Sequence, residues 1–411
     1  MIALLRETRA NRYTLNALTG ILDACGLRWG VADSERSLLR AATETLGRGE
    51  ELLILYSFLT PHLLDVGEEL ASMKNQGRGA TLIAGGPHPS ADPDGTLQLG
   101  FDHVFIGEVE RTLPAFLRNG ARGGPVHRDP QGGPTDLDEF APFGAGRHGP
   151  VELTRGCPYA CGFCGVGRRQ VRHRGRDAVL SAAEGLLRGG RRRLAFITPD
   201  AFAYARGLAD LEPLLRDLRS MGIRPALGTF PSEVRPDRVT PEAVEVLRRY
   251  CENRTLVIGA QSGSDSVLER LGRGHTVADV LRAAQIARRA GFTPHVDVIF
   301  GLPGESAKER KTTIDLVVRL RTDFGARIHA HYFYPLPGTP LWGREPTPMD
   351  GETRHALLDL RRGGAEDGQW QEQERWAHRI LEWARRGWIR TPLSSPVAAQ
   401  RSGSRFREAA P

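Results

Sequence analysis

The sequence predicts an α/β protein. It has an N-terminal doubly wound, Rossmann-like parallel sheet, then a partial, TIM-like (βα)6 barrel, then a small helical C-terminal extension. Three observations predict this. Short apolar runs alternate with amphipathic stretches over residues 1–118, a Gly/Pro-rich interruption follows, and a second alternation of six strand–helix units begins at 151. Strands that alternate with helices build parallel sheets, because a parallel pair needs a crossover long enough to carry a helix.

In chain order, the first strands are Ile2–Leu5, Leu52–Phe58, Ala80–Ala84 and His103–Ile106. Leu15, Leu18, Leu22 and Cys25 recur at helical spacing between the first two strands, and a second helix covers His62 to Asn75. Ligands of such sheets sit beyond the carboxyl ends of the strands. Those ends read Ser57-Phe-Leu-Thr60, Gly85-Gly-Pro-His-Pro-Ser90 and Gly107-Glu108. Residues 119–150 read as a linker, since Gly and Pro supply 13 of 32 positions and no hydrophobic period survives. The barrel, 151–340, takes strands Val151–Thr154, Leu194–Thr198, Pro225–Gly228, Leu256–Ala260, His295–Phe300 and Ile328–Phe333. Barrels of this kind carry their chemistry in the loops after the strands. Residues 341–390 read as a helical cap, with Trp376, Ile380 and Trp383 on an apolar face, and 391–411 read as a disordered tail.

Composition narrows the function. Of 411 residues, 40% are hydrophobic and 26% charged, an ordinary globular balance that excludes a wholly disordered or fibrous chain. No apolar run approaches the ~18 residues of a membrane span. No basic stretch precedes an apolar one at the start, so no secretory signal is expected and a cytoplasmic location is. The net charge of +7 invites a nucleic-acid reading. However, Lys74, Lys308 and Lys311 are the only lysines, and so lopsided an arginine usage looks like genomic base composition. Nucleic acid is therefore not an expected partner.

The five cysteines are Cys25, Cys157, Cys161, Cys164 and Cys251. An odd count without a signal argues against a disulfide framework. Cys25 and Cys251 fall in apolar helical patterns and read as core. The other three lie in Thr154-Arg-Gly-Cys157-Pro-Tyr-Ala-Cys161-Gly-Phe-Cys164-Gly165, directly after the first barrel strand. Three thiolates on one loop can hold three irons of a cubane and leave the fourth open to an outside ligand. Structural zinc is the competing metal, but it takes four ligands, commonly as paired C-x2-C units, and no second pair exists.

C-x3-C-x2-C at this place in a (βα)6 barrel resembles the radical S-adenosylmethionine (SAM) superfamily. The resemblance implies a 4Fe–4S cluster whose open iron is chelated by SAM, with Phe163 near the adenine. Later loops match in order. Thr198-Pro-Asp200 stands where the family has a Gly-Gly-Glu segment for the SAM amino group, so that role passes to Thr198 and Asp200. Thr229-Phe-Pro-Ser232-Glu-Val-Arg235 resembles a segment of methylthiotransferase-like members, and Leu271-Gly-Arg-Gly-His-Thr276 fits the same subgroup. Gly259-Ala-Gln261-Ser262-Gly-Ser-Asp265 matches the segment reaching the ribose and carboxylate. Ile299-Phe-Gly301-Leu-Pro-Gly-Glu305 matches the adenine-packing motif, and Tyr334 to Pro340 is also typical.

The N-terminal loops resemble the cobalamin-binding domain that precedes many such barrels, which implies contacts from Ser57, Thr60, Gly85, Gly86, His88 and Glu108. The Asp-x-His-x-x-Gly that supplies a lower cobalt ligand is missing; Arg6-Glu-Thr-Arg-Ala-Asn-Arg12 stands in its place. The resemblance implies a cobalamin-dependent enzyme that splits SAM reductively and methylates an unreactive carbon or phosphorus centre of a small molecule or peptide. A flavodoxin or ferredoxin would supply electrons. A radical SAM enzyme of other outcome, with cobalamin unused, and a zinc-stabilised binding protein are the alternatives. Methylthiotransferases carry a second cysteine triad in the N-terminal domain, whereas residues 1–118 hold Cys25 alone.

Overall fold

A computed structural model describes residues 1–393 except 77–78, 120–123, 131 and 168. The expected tail falls outside the described residues from 394 onward. The N-terminal sheet has six parallel strands: β1 (Ile2–Arg6), β2 (Arg28–Ala32), β3 (Leu52–Ser57), β4 (Thr81–Gly85), β5 (His103–Ile106) and β6 (Val126–Arg128). Their order is β2-β1-β3-β4-β5-β6. All of β3, Leu-Leu-Ile-Leu-Tyr-Ser, is buried, as expected of a strand covered on both faces. The chain leaves β1 toward one edge and returns at β3 toward the other. The topological switch therefore lies between β1 and β3, where such sheets bind ligands.

The sequence reading passed over β2, the helix Glu35–Gly47 after it, and β6. β2 is an edge strand with a single buried residue, so it lacks the apolar signature of a covered strand. The helix rests on a capping box at its entry, where Ser34 and Ser37 satisfy each other's backbone N–H groups. β6 is three residues long and lies inside the segment expected to be a linker.

The rest of that segment is tied down as well. Residues 141–148 strap across helix Arg12–Ala24: Gly144 N donates to Thr19 Oγ1 (3.0 Å), Arg147 Nε to Asn16 Oδ1 (2.9 Å), and Asn16 Nδ2 to the His148 carbonyl (3.2 Å). Gly20 makes room for the strap, since a Cβ there would lie 2.3 Å from the Ala141 oxygen.

Eight further strands follow: β7 (Val151–Glu152), β8 (Thr154–Cys157), β9 (Arg169–His173), β10 (Arg193–Ile197), β11 (Arg224–Ala226), β12 (Thr255–Gln261), β13 (Thr293–Phe300) and β14 (Arg327–Tyr332). Six of them correspond to the six expected barrel strands and form two parallel sheets, ordered β11-β10-β7 and β12-β13-β14. The helices between them begin where capping chemistry starts them. Thr276 with Asp279 opens Val277–Arg289, and Ser306 with Glu309 opens Ala307–Phe324, which stops at left-handed Gly325 (φ +63°).

Packing divides the chain into two compact units. The first unit is Met1–Arg155, Gln170–Thr198 and Tyr204–Ala226, so it joins β7 and β10–β11 to the N-terminal sheet. Ion pairs explain part of this grouping. Arg172 forks onto Glu108 (2.8 and 2.5 Å), Arg155 reaches Glu110 (2.6 Å), and Gly175 N is held by Asp138 (3.0 Å). The second unit is Gly156–Arg169, Pro199–Ala203 and the chain from Leu227.

In the second unit the C-terminal region is two helices, Gly351–Arg362 and Trp370–Arg385. Ile380 and Trp383 are buried as the expected apolar face requires, and Trp376 meets Tyr334 edge-on. Residues 365–367 run along β14 as a further short edge: Ile328 N donates to the Ala365 carbonyl (2.8 Å) and Asp367 N to the Ile328 carbonyl (3.1 Å). An otherwise open sheet edge is thereby covered.

Candidate functional site

The cysteine loop is held by its own backbone. Gly156 takes φ +86°, Gly162 N donates to the Leu271 carbonyl, and Leu341 N donates to the Gly162 carbonyl. A Cβ at Gly167 would strike the Tyr159 oxygen at 2.7 Å, so only glycine lets the two ends of the loop meet there. All three thiols are free, Cys161 buried and Cys157 and Cys164 half-buried. Each sulfur faces an N–H donor. Cys157 faces the Tyr159 amide, Cys161 the Arg273 guanidinium (Nη1, 3.3 Å) and Cys164 the Val166 amide (3.4 Å). Burial raises the Cys157 thiol above its ordinary value, and the two neighbouring cysteines raise it further. Three crowded sulfurs, each met by a donor, suit thiolates bound to iron, where N–H bonds stabilise negative sulfur. The donor set fits a 4Fe–4S cluster.

The structure places the expected SAM residues unevenly. Phe163 joins Ile299 in an apolar cluster with Val267, Leu271, Leu302 and Phe333, beside the cysteine loop. Gly301 (φ +75°) is required, because a Cβ would lie 2.5 Å from the Tyr332 ring. Gln261 is buried at a strained φ of +72°, a conformation that persists where surroundings over-determine it. Ser232 and Ser262 are spent on the backbone and on neighbours. Ser232 Oγ accepts from Gly228 N (2.9 Å) and donates to the Thr229 carbonyl, while Ser262 Oγ accepts from Ser264 N and meets Thr313 Oγ1. Both shape loops. Thr198 is buried in the first unit. Asp200 is buried in the second, where burial pushes its carboxyl up to about 6 against the pull of Arg238 (2.9 Å).

Sequence reasoning passed over Arg273, Glu233 and Asp297. Arg273 is buried between two left-handed glycines, Gly272 and Gly274, and it also donates to the Gly259 carbonyl (2.7 Å). The Glu233 carboxylate approaches the same Gly259, and burial raises its carboxyl against the lowering charge of Arg273. Asp297 lies well above the usual carboxylate range through burial and the charges of Glu233 and Asp367. The available signal for Arg273 was a lone cation flanked by glycines in Leu271-Gly-Arg-Gly-His. A lone strand aspartate such as Asp297 leaves no such mark.

In the first unit, a cavity of about 180 Å³ opens at the switch point. Arg6, Thr8 and Asn11 line it after β1, and Ser57, Phe58 and Leu59 after β3. Gly86 (φ +92°) lies so close that a Cβ would sit 2.5 Å from Ser57 Oγ, and Gly107 (φ +78°) faces open space. His88 is almost wholly buried, with Nδ1 3.1 Å from Thr60 Oγ1. Its Nε2 has no partner, and burial pulls its pKa down to about 4. An orphaned imidazole nitrogen next in sequence to Pro87, which lines the cleft, fits a ligand with a hydrogen-bonding tail. Glu108 is engaged elsewhere. Burial pushes its carboxyl up, but Arg172, Arg155 and the Thr135 amide outweigh this and hold it at about 2. Cys25, expected in the core, is exposed just past the end of its helix.

A three-cysteine loop beside one parallel sheet, with a switch-point cleft in another, fits an iron–sulfur protein with a second ligand-binding domain. Comparison with known proteins identifies both. Residues 151–317 match the model of the radical SAM superfamily, and residues 15–117 match the B12 binding domain. The chain thus carries a radical SAM domain and an N-terminal B12-binding domain. The two three-stranded parallel sheets are those of the family's partial barrel.

An uncharacterized protein of Methanopyrus kandleri is 27% identical over 83% of this chain and 82% of its own length. The threonylcarbamoyladenosine tRNA methylthiotransferase MtaB of Thermotoga maritima is 25% identical, over 66% of this chain and 63% of that one. In fold, the chain resembles the radical SAM methyltransferase TsrM from Kitasatospora setae, solved with cobalamin and a [4Fe-4S] cluster. The TM-score is 0.63 at 16% identity, covering 83% of this chain and 76% of that one. The family implies a 4Fe–4S cluster and SAM, and the B12-binding domain points to cobalamin. Among the described residues, no helix is long and apolar enough to cross a membrane.

Proposed function

We propose that this chain is a cobalamin-dependent radical SAM methyltransferase acting on an unreactive carbon or phosphorus centre. The observation that carries the reading is a coincidence within one chain. A cysteine loop with a donor at each sulfur accompanies a parallel sheet whose switch point opens into a cleft, with left-handed Gly86 packed against Ser57. When bound, the cofactors supply reductive cleavage of SAM to a 5′-deoxyadenosyl radical and a transferable methyl group.

The residues do the rest. Cys157, Cys161 and Cys164 would hold the cluster, and Arg273 steadies the Cys161 sulfur. Phe163, Ile299 and Gly301 would give the adenine an apolar seat, and Asp200 and Gln261 would offer polar atoms to the amino-acid end. Ser57, Thr60, Gly85, Gly86 and His88 receive the cobalamin tail, while Glu108 fastens the loop behind them to Arg172. A flavodoxin or ferredoxin supplies the electron. The TsrM likeness supports methyl transfer as the outcome. Methylthiolation, the activity of MtaB, fits less well, since residues 1–118 hold one exposed cysteine in place of a triad.

The test is anaerobic reconstitution with iron, sulfide, cobalamin, SAM and a chemical reductant, followed by mass spectrometry with methyl-labelled SAM. The reading expects retained corrin absorption and label in a product when cell extract supplies the substrate. A brown protein that forms 5′-deoxyadenosine but holds no corrin would overturn the cobalamin assignment and leave a radical SAM enzyme of other outcome.

A further inference from the structure

We propose that His295, His329 and Asp367 form a second metal site, for one divalent transition ion of the zinc class, separate from the cysteine loop. His295 and His329 lie on adjacent parallel strands, β13 and β14. Asp297 pairs with His329 in register, so the two imidazoles project from the same face, offset by one alternate position. The third residue comes from the C-terminal region. The short segment 365–367 hydrogen-bonds along β14, and Gly368 presses so near β14 that a Cβ would lie 1.9 Å from the Ala330 oxygen. Backbone therefore sets where Asp367 stands.

Its Oδ1 lies 3.0 Å from His295 Nε2 and 2.9 Å from His329 Nδ1, and all three atoms lie within 4.8 Å of one another. Bonds of about 2.0–2.2 Å to nitrogen and oxygen in a tetrahedron separate ligand atoms by roughly 3.3–3.6 Å. Small side-chain movements would thus exchange two hydrogen bonds for three metal bonds, each imidazole staying neutral with its proton on the ring nitrogen away from the metal. The other oxygen, Asp367 Oδ2, accepts from Arg327 Nη2 (2.8 Å). An outer hydrogen bond of this kind is how ligating carboxylates are commonly oriented. Two imidazoles and one carboxylate suit zinc, cobalt or iron and discriminate against magnesium and calcium, which prefer all-oxygen shells. The three groups are half-buried to partly exposed, so an ion can reach them from solvent. Because Asp367 belongs to the segment along β14, the ion would pin that segment to the strands.

The site is tested in full-length chains with the cysteine loop disabled (C157A/C161A/C164A) and in the wild type, both stripped with chelator without oxygen. Each is titrated with Co2+ as the optical probe. The proposal expects about one Co2+ per triple-variant chain, with visible d–d bands, no sulfur-to-cobalt charge transfer, and displacement by Zn2+. D367N and H329Q should each weaken binding at least tenfold, and Zn2+ should raise the melting temperature of the triple variant but not of its D367N derivative. Should a triple variant refuse to fold, the wild type still reports, since cobalt at this site carries no thiolate band. Absent saturable binding below millimolar Co2+, or unchanged binding in D367N and H329Q, would overturn the proposal and leave the carboxylate as a plain bridge between two imidazoles. Neither result bears on the cofactor assignments, because the site shares no residue with them.

Discussion

The cysteine loop and the rim of the N-terminal sheet, the two sites proposed for cofactors, are built by opposite means. In the loop, side chains carry the chemistry, and glycines only let the sulfurs converge. In the rim, backbone shape does most of the work: a switch point, Gly86 at φ +92°, and a cleft between the ends of β1 and β3. A site made of reactive side chains fails when one of them is removed. A site made of shape fails when an atom is added.

The largest expected effect breaks the first site. Cys157→Ala, Cys161→Ala and Cys164→Ala should each lower 5′-deoxyadenosine formation more than ~100-fold, since removing a metal ligand removes the group it holds. Cys251→Ala, in the core and away from the loop, should leave it near wild type. Product quantification after anaerobic reconstitution checks both.

The converse experiment adds atoms to the second site. Gly86→Val should cut cobalamin retention at least tenfold while leaving the iron content unchanged. Its Cβ would crowd Ser57 Oγ, and left-handed backbone is strained for a branched residue by about 1–3 kcal/mol. Corrin absorbance against iron per chain separates this outcome from general unfolding. If Gly86→Val retained cobalamin in full, the shape-built account of the rim would fail.

A third prediction concerns stability. Glu305 is buried in the second unit, and burial pushes its carboxyl up to about 7 despite Arg310. The folded state therefore holds a proton that the unfolded chain, near 4.5, has lost. Stability falls as pH rises from about 4.5 to about 7 and is lowest above that window. Glu305→Gln should be more stable than wild type at pH 8, by an amount on the order of 2–3 kcal/mol, with the difference vanishing toward pH 4.5. Arg310 keeps Asp350 as a partner (2.8 Å), so the exchange strands no cation. Urea unfolding at several pH values reads the slope.

The smallest expected effect refines the loop. Arg273→Leu removes the guanidinium from the Cys161 sulfur and should lower the cluster's reduction potential by tens of millivolts, because hydrogen bonds to sulfur favour the reduced cluster. Redox titration followed by EPR measures it without turnover.

The same contrast explains what could be read from the sequence. Six barrel strands were legible because short segments with buried apolar residues alternate with amphipathic helices, and the cysteine triad because its spacing is rare. Edge strand β2 was not, since one buried residue leaves no pattern. The strap at 141–148 was hidden because its contacts run through Asn16, Thr19 and Arg147, polar residues that look solvated until a partner arrives from distant sequence. Arg273 stands in the sequence only as the cation of Leu271-Gly-Arg-Gly-His, and its role appears once folding brings it against Cys161. Ser232 and Ser262 showed the reverse. They matched a motif, and folding spends their hydroxyls on loop geometry.

We propose that three sulfurs on one loop hold a cubane with an open corner for SAM. Iron and acid-labile sulfide per chain, with EPR of the reduced protein with and without SAM, test it most directly. The account predicts about four of each per reconstituted chain and a signal that shifts on adding SAM. A chain that stays colourless and iron-free under ample iron and sulfide, or whose reduced signal ignores SAM, would contradict it.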